Sequence, residues 1–194
     1  MGGECDGIGG LRQYAKHVQY KALFWNAFHS CRLHAGLLRS LFPMKIVRAG
    51  PEDAPFLTEI AFAAKRHWGY PERWIESWRE ILTMRPEFIA ANVACYAAEE
   101  EYVAGFYVLT TEEDGLHLDH LWIRPAAMRR GIGRALFEHA IEQARNSGFA
   151  AIKIEADPNA EGFYQHVGAV RVGTAIRGIE GERRELPLME YRLE

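Results

Sequence analysis

The sequence predicts an α/β domain of the α+β kind: a mixed, mostly antiparallel central sheet flanked by helices. Three observations carry this. Short alternating strands follow one another in hairpin fashion over residues 88–111 and again from 169 onward. One long amphipathic helix, Ile132–Asn146, stands between strands 116–123 and 150–156, the pattern of a parallel crossover. The 194 residues, 48% of them hydrophobic, suffice for one well-formed core.

Residues 1–43 stand apart. "MGGECDGIGG" is glycine-rich, and "YKALFWNAFHSCRLHAGLLRSLF" is apolar and basic, with Leu33, Leu37, Leu38 and Leu41 near helical spacing. We read this segment as a flexible or non-native extension, in preference to a membrane-surface, targeting or partner helix. Pro43 marks the boundary, and Met44 opens the domain 44–194.

Within that domain "KIVRA" is a strand, followed by a turn and a helix entered near Glu52 and Asp53. After the "GYP" break, "PERWIESWREIL" is a second helix with Pro71 near its first turn. Trp74, Trp78, Ile81 and Leu82 share one of its sides, as core or as an aromatic groove wall. "FIAANVACYAAE" and "YVAGFYVLTT" form a hairpin, and "LHLDHLWI" is the third strand of that run. The helix Ile132–Asn146 is stopped by Gly148. "AAIKIEA", a turn and short helix in "DPNAEGFYQHVG", and two strands, "AVRVGTAI" and "LPLMEYRL", complete the domain. The polar "RGIEGERRE" between those strands reads as a mobile loop.

Composition excludes several functions. The net charge of -3 and the lack of an aromatic-interleaved basic stripe argue against a nucleic-acid partner. Cys5, Cys31 and Cys95 are dispersed, so they make neither a zinc cluster nor a disulfide framework, and a reducing cytoplasm is expected. No window approaches the ~18 apolar residues of a membrane span. Membrane contact is therefore expected nowhere except in the uncertain N-terminal segment. His117 and His120, three apart on a strand, share a metal poorly, and no metal is expected. Exposed strand edges would allow a homodimer.

The chemistry concentrates in "RPAAMRRGIGRALFEHAIEQARNSG". A helix starts with unpaired N–H groups and the positive end of its dipole, which phosphate oxygens satisfy. Gly131 and Gly133 lack a Cβ and would let a phosphate approach the amides around Ile132, while Arg129, Arg130 and Arg134 add charge. A P-loop would require Lys-Ser/Thr after the glycines, and a dinucleotide fingerprint a third glycine where Leu136 stands. Pyrophosphate binding fits without either motif.

The stretch "LDHLWIRPAAMRRGIGRALFEHAIEQARNSG", followed by "IKIEADPNAEGFYQHVGAVRVG", resembles the GCN5-related N-acetyltransferase superfamily over residues 44–194. Met128 stands where that family's signature has Gln or Arg. The resemblance implies an acetyltransferase fold, acetyl-CoA as co-substrate, and an amine acceptor on a small molecule or peptide. It assigns Arg129, Arg130, Gly131, Ile132, Gly133 and Arg134 to the pyrophosphate and Asn159 to the pantetheine arm. Backbone from Leu121, Trp122 and Ile123 would hold the acetyl carbonyl, and Tyr164 would be the general acid toward the departing sulfur. A non-catalytic acyl-CoA sensor or interaction module is the alternative.

Direct acyl transfer needs a neutral amine, and deprotonating an alkylammonium at pH 7 costs roughly 4–5 kcal/mol without help. Strand alternation puts His117, Asp119, Leu121 and Ile123 on one side of "LHLDHLWI", and Leu118, His120 and Trp122 on the other. Asp119 is the preferred base, with Glu155 as a further acidic candidate. His120 has the better intrinsic pKa but points away if the strand is regular. Cys95, in an apolar strand, reads as inert core.

Overall fold

The computed structural model describes residues 44–99 and 102–193. The extension expected over residues 1–43 lies outside the described residues. Seven strands form one sheet: β1 (Lys45–Arg48), β2 (Val93–Glu99), β3 (Tyr102–Glu112), β4 (Gly115–Ile123), β5 (Ala151–Glu155), β6 (Val170–Ile179) and β7 (Glu182–Arg192). Their order is β1-β2-β3-β4-β5-β7-β6, and every neighbouring pair is antiparallel except β4 with β5. The helices are α1 (Ala54–His67), α2 (Glu72–Ser77), α3 (Arg79–Leu82), α4 (Pro86–Ala91), α5 (Ile132–Arg145) and α6 (Glu161–His166). This is the expected mixed, mostly antiparallel sheet flanked by helices.

The two-residue period of β3 builds a core on each face of the sheet. Tyr107 and Leu109 point into one cluster, with Leu136, Phe137, Ala140 and Ala144 of α5. Phe106 and Val108 point into the other, with Leu57, Ile60 and Ala61 of α1. A large apolar side chain buried this way contributes about 1.5–3 kcal/mol. On α5, buried Ile132, Leu136, Phe137, Ala140, Ile141 and Ala144 follow the helical period that the sequence displays. β6 is an edge strand and exposes Val170, Val172 and Ile176.

Three local expectations are corrected. "FIAAN" is not strand: Pro86 starts α4, which buries Ile89, and β2 begins only at Val93. The helix expected over residues 71–82 divides at Trp78, whose φ and ψ of −91° and 5° end α2, and Pro71 precedes it as N-cap. "RGIEGERRE" is not a loop but the extended end of the β6–β7 hairpin. Glu180 and Gly181 have φ of 48° and 81°, both left-handed, as a primed two-residue turn requires. Arg73 of α2 holds this end through Glu180 and Glu182 at 2.8 and 3.1 Å.

Candidate active site

The parallel pairing of β4 with β5 is short. Only Leu116 and His117 have register partners, Ile152 and Lys153. Beyond His117 the β5-facing edge of β4 has no strand partner among the described residues, so backbone groups of the 118–123 segment face an opening. Such groups are preorganised donors and acceptors.

β4 is also irregular where it matters. Val108 pairs with His120 but Leu109 with Leu118, so Asp119 is the extra residue of a β-bulge. The bulge reverses parity along the strand. Leu116, Leu118, Leu121 and Ile123 all pack toward α5, whereas His117, Asp119, His120 and Trp122 all line a cleft on the opposite side. This corrects the expected alternation: Asp119 and His120 share the cleft, while Leu121 and Ile123 face away from it. The bulge is a property of two-strand register, invisible in β4 alone.

His120 is buried and sits between two groups. The Trp122 indole donates to its Nδ1 at 3.0 Å, and its Nε2 lies 3.3 Å from Asp119 Oδ2. An indole N–H can only donate, so Nδ1 must be the unprotonated nitrogen and Nε2 carries the hydrogen toward Asp119. Burial further holds the imidazole below its usual pKa, against the opposing pull of Asp119. His120 is thus a neutral orienter of Asp119, whose carboxylate remains open to the cleft. Trp122→Phe frees Nδ1 and is expected to raise the pH at which His120 charges, read from its imidazole proton shifts.

The glycine turn lies on the α5 side. Gly131 is the N-cap of α5 with φ 81°, a conformation only glycine adopts freely, and a Cβ there would meet nothing within 4 Å. Arg129 is also left-handed at φ 60° and is exposed. Open space and bare amides at this helix start fit a phosphate. Gly133 differs: a Cβ there would stand in ordinary contact with Phe163 at 3.4 Å and Ile123 at 3.6 Å, so side chains of α6 and β4 already border it. Ile132 is buried beneath the turn. Arg130 is tied to Glu99 at 2.5 Å and braces the loop on β2, and Arg134 donates to His166 Nε2 at 2.7 Å.

Tyr164, 6% exposed, packs edge-on against Phe137 and Phe163. Its hydroxyl has no hydrogen-bond partner among the described residues. Burial first, and the negative charge of Asp157 second, push its pKa up, so it stays a phenol. Asn159 uses its amide N–H groups on Tyr70 Oη and Asp157 Oδ1, both at 3.0 Å. Toward a ligand it therefore offers its carbonyl oxygen.

The cleft has a volume of about 1100 Å³, and its floor holds a cluster that the sequence reading missed. Asp157 accepts from Lys65 Nζ at 2.5 Å and from Tyr70 Oη at 2.9 Å, and it caps the turn through Asn159 N at 3.0 Å. Arg184 donates to Tyr70 Oη at 3.1 Å and lies 3.7 Å from Asp157. Trp74 and Trp78 do form an aromatic wall, but the protein's own cations occupy it. Lys65 Nζ stands 4.3 Å from the Trp78 ring centroid, and the Arg184 guanidinium carbon 4.7 Å.

One carboxylate serving two cations explains the titration of the group. Burial would raise Asp157, but the Lys65 charge and hydrogen bonds outweigh it and hold the carboxyl below its usual range. Burial depresses Lys65, and Asp157 offsets this only in part while Arg184 opposes it. Tyr70, desolvated and beside the Asp157 charge, is pushed up to about 12. The sequence held a signal for this cluster: Lys65 falls on the buried face of α1 with Leu57, Ala61 and Ala64. Glu155, the further acidic candidate, is bound by Arg177. At the cleft's other end Glu112, Asp114 and His117 gather their ligand atoms within 4.8 Å, and Lys153 Nζ reaches Asp114 at 2.7 Å.

Comparison with known proteins agrees with this fold. Residues 69–192 match the acetyltransferase (GNAT) domain family, and the chain belongs to it. It is 34% identical over 90 residues to blasticidin-S acetyltransferase of Streptomyces morookaense, an alignment covering 45% of this chain and 65% of that protein. It is 32% identical over 113 residues to the peptidyl-lysine N-acetyltransferase YjaB of Salmonella typhimurium, covering 50% and 74%. The fold superposes on the PaiA N-acetyltransferase of Thermoplasma acidophilum in complex with coenzyme A, with a TM-score of 0.60 and 22% identity over 77% of this chain and 99% of that one.

Proposed function

We propose that this chain transfers the acetyl group of acetyl-CoA directly to a primary amine on a small molecule or peptide. One observation carries the reading. The unpaired edge of β4 opens between the glycine turn and Tyr164 on one face and the Asp119 cleft on the other. The relatives acting on blasticidin S and on peptidyl-lysine support an amine acceptor of either size. No metal enters the scheme.

In this scheme the diphosphate rests on the amides after Gly131, with Arg129 and Arg134 nearby, and Asn159 accepts from the pantetheine arm. Backbone of Leu121–Ile123 binds the thioester carbonyl at the β4 edge. The cleft delivers the amine, whose nitrogen forms a bond to the thioester carbon. Its proton passes to Asp119 directly or through water. The C–S bond then breaks, the sulfur takes the Tyr164 proton, and solvent returns a proton to the phenolate while Asp119 releases the one it received.

Thiol release from acetyl-CoA with a panel of amines and peptides tests this, with calorimetry of coenzyme A alongside. Gly131→Asp is expected to raise the coenzyme A Kd about tenfold or more, because a carboxylate would face the diphosphate. Gly131→Asn tolerates the same left-handed backbone without charge and should weaken binding much less. Equal Kd values for the two variants would remove the diphosphate from this turn. Coenzyme A binding without turnover of any amine would make the chain a sensor.

A further inference from the structure

We infer that the cleft contains a subsite for a carboxylate on the acceptor, built by Arg184, so that the preferred amine also bears an anionic group. The inference rests on the acetyl-transfer reading for the role of the amine, but the subsite itself stands on the cleft's geometry.

The charges do not balance at the cleft floor. Lys65 and Arg184 are both cations, each about nine-tenths buried, and Asp157 is the one carboxylate between them. Lys65 takes the close contact at 2.5 Å, while Arg184 stands 3.7 Å away, beyond hydrogen-bond reach. Of the five guanidinium N–H groups, one donates to Tyr70, and the rest have no acceptor among the described residues. Arg184 lines the cleft. The guanidinium also stands over the Trp78 and Tyr70 rings at 4.7 and 5.1 Å, which fixes its fork before any ligand arrives. An unsatisfied, preorientated fork is the group that recognises a carboxylate in two parallel hydrogen bonds.

The acidic residues of the cleft do not cancel this. Glu155 is held by Arg177 and Glu180 by Arg73. Asp114 is held by Lys153 and Glu190 lies beside Arg192, which leaves Asp119, with its neutral imidazole partner, and Glu112 as the acidic end. The cleft is thus negative at the β4 bulge and positive at the floor, with Trp122 between: it hydrogen-bonds His120 and its ring centroid lies 5.8 Å from Lys65 Nζ. An acceptor carrying an amine at one end and a carboxylate at the other matches both ends.

The test uses the full chain and matched pairs: α-amino acids and ω-amino acids of increasing length, each beside its carboxamide. Turnover is followed by thiol release, and binding of the same compounds by calorimetry. For at least one pair the carboxylate should exceed the carboxamide by about tenfold or more in kcat/KM and in affinity. Arg184→Gln should abolish that preference, and Arg184→Lys, a point charge without the fork, should keep only part of it. Arg184→Gln leaves Lys65 and Asp157 matched one to one and Arg184→Lys keeps the charges of the wild type, so folding should persist, which thermal melts check, and coenzyme A affinity should stay within about twofold. Selective, Arg184-dependent binding without turnover would keep the subsite and remove the catalytic reading. No carboxylate preference in either assay, or a preference that survives Arg184→Gln, overturns the subsite.

Discussion

Replacing Tyr164 with Phe is expected to lower turnover by about 10²–10⁴-fold while coenzyme A binding stays within about twofold. The ring is 6% exposed and packed against Phe137 and Phe163, so phenylalanine keeps its contacts and only the hydroxyl is lost. The raised pKa of this phenol makes it a weaker acid than in water, which by itself opposes proton donation. In the proposed scheme the thiolate would leave into the same apolar surroundings, and desolvation would raise the thiol as well. Transfer is governed by the difference between the two acids, which is about 1.5 pK units, or ~2 kcal/mol, on their ordinary values. The raised pKa also fixes a sign. Tyr164 keeps its proton through the neutral and alkaline range, so an alkaline fall in kcat below about pH 10 must come from another group. Stopped-flow or steady-state pH profiles of wild type and Tyr164→Phe check this. An unchanged kcat in the variant would assign the sulfur's proton to a different donor.

The local geometry around the glycine turn and Tyr164 was legible because it depends on neighbours in sequence. Gly131 and the apolar spacing from Ile132 to Ala144 announce a helix with a bare start, and both lie within one stretch. The Asp157–Asn159 cap and the Tyr164 helix likewise follow from adjacent residues. The cleft was not legible, because most of its features join distant elements. The bulge that brings Asp119 and His120 to one cleft exists only in the register of β3 against β4. Lys65 meets Asp157 across 92 positions, and Arg184 reaches Tyr70 across 114. In sequence Arg184 sits in "GERRE", which looks like a solvated turn until the Glu180–Gly181 turn continues the hairpin through it. The sequence reads Trp74 and Trp78 as core or as a groove wall, and the structure makes them a cage for cations. The one local hint that it is already filled was the place of Lys65 on the buried face of α1; nothing local pointed to Arg184.

That occupied cage makes Asp157 the residue whose charge the domain can least lose. Asp157→Asn is expected to destabilise by about 3–5 kcal/mol, the cost of leaving buried charge uncompensated. On a domain of this size that lowers Tm by about 10 °C. Asparagine can still cap the turn that Asp157 now caps through Asn159 N, so the substitution isolates the charge. Lys65→Met should cost less, because Arg184 and Asp157 then remain as one cation and one anion. The double variant should fall short of the sum of the two, since residues sharing one network are not additive. The pH dependence has a definite sign. Asp157 is held below its ordinary pKa, so its contribution is fully present above about pH 4 and is lost as pH falls through the lower folded value. The Tm gap between wild type and Asp157→Asn should therefore be constant near neutrality and close only in acid. Lys65→Met proving as damaging as Asp157→Asn would mean that the two cations do not share this carboxylate. Arg184 would then have no surplus charge to offer a ligand.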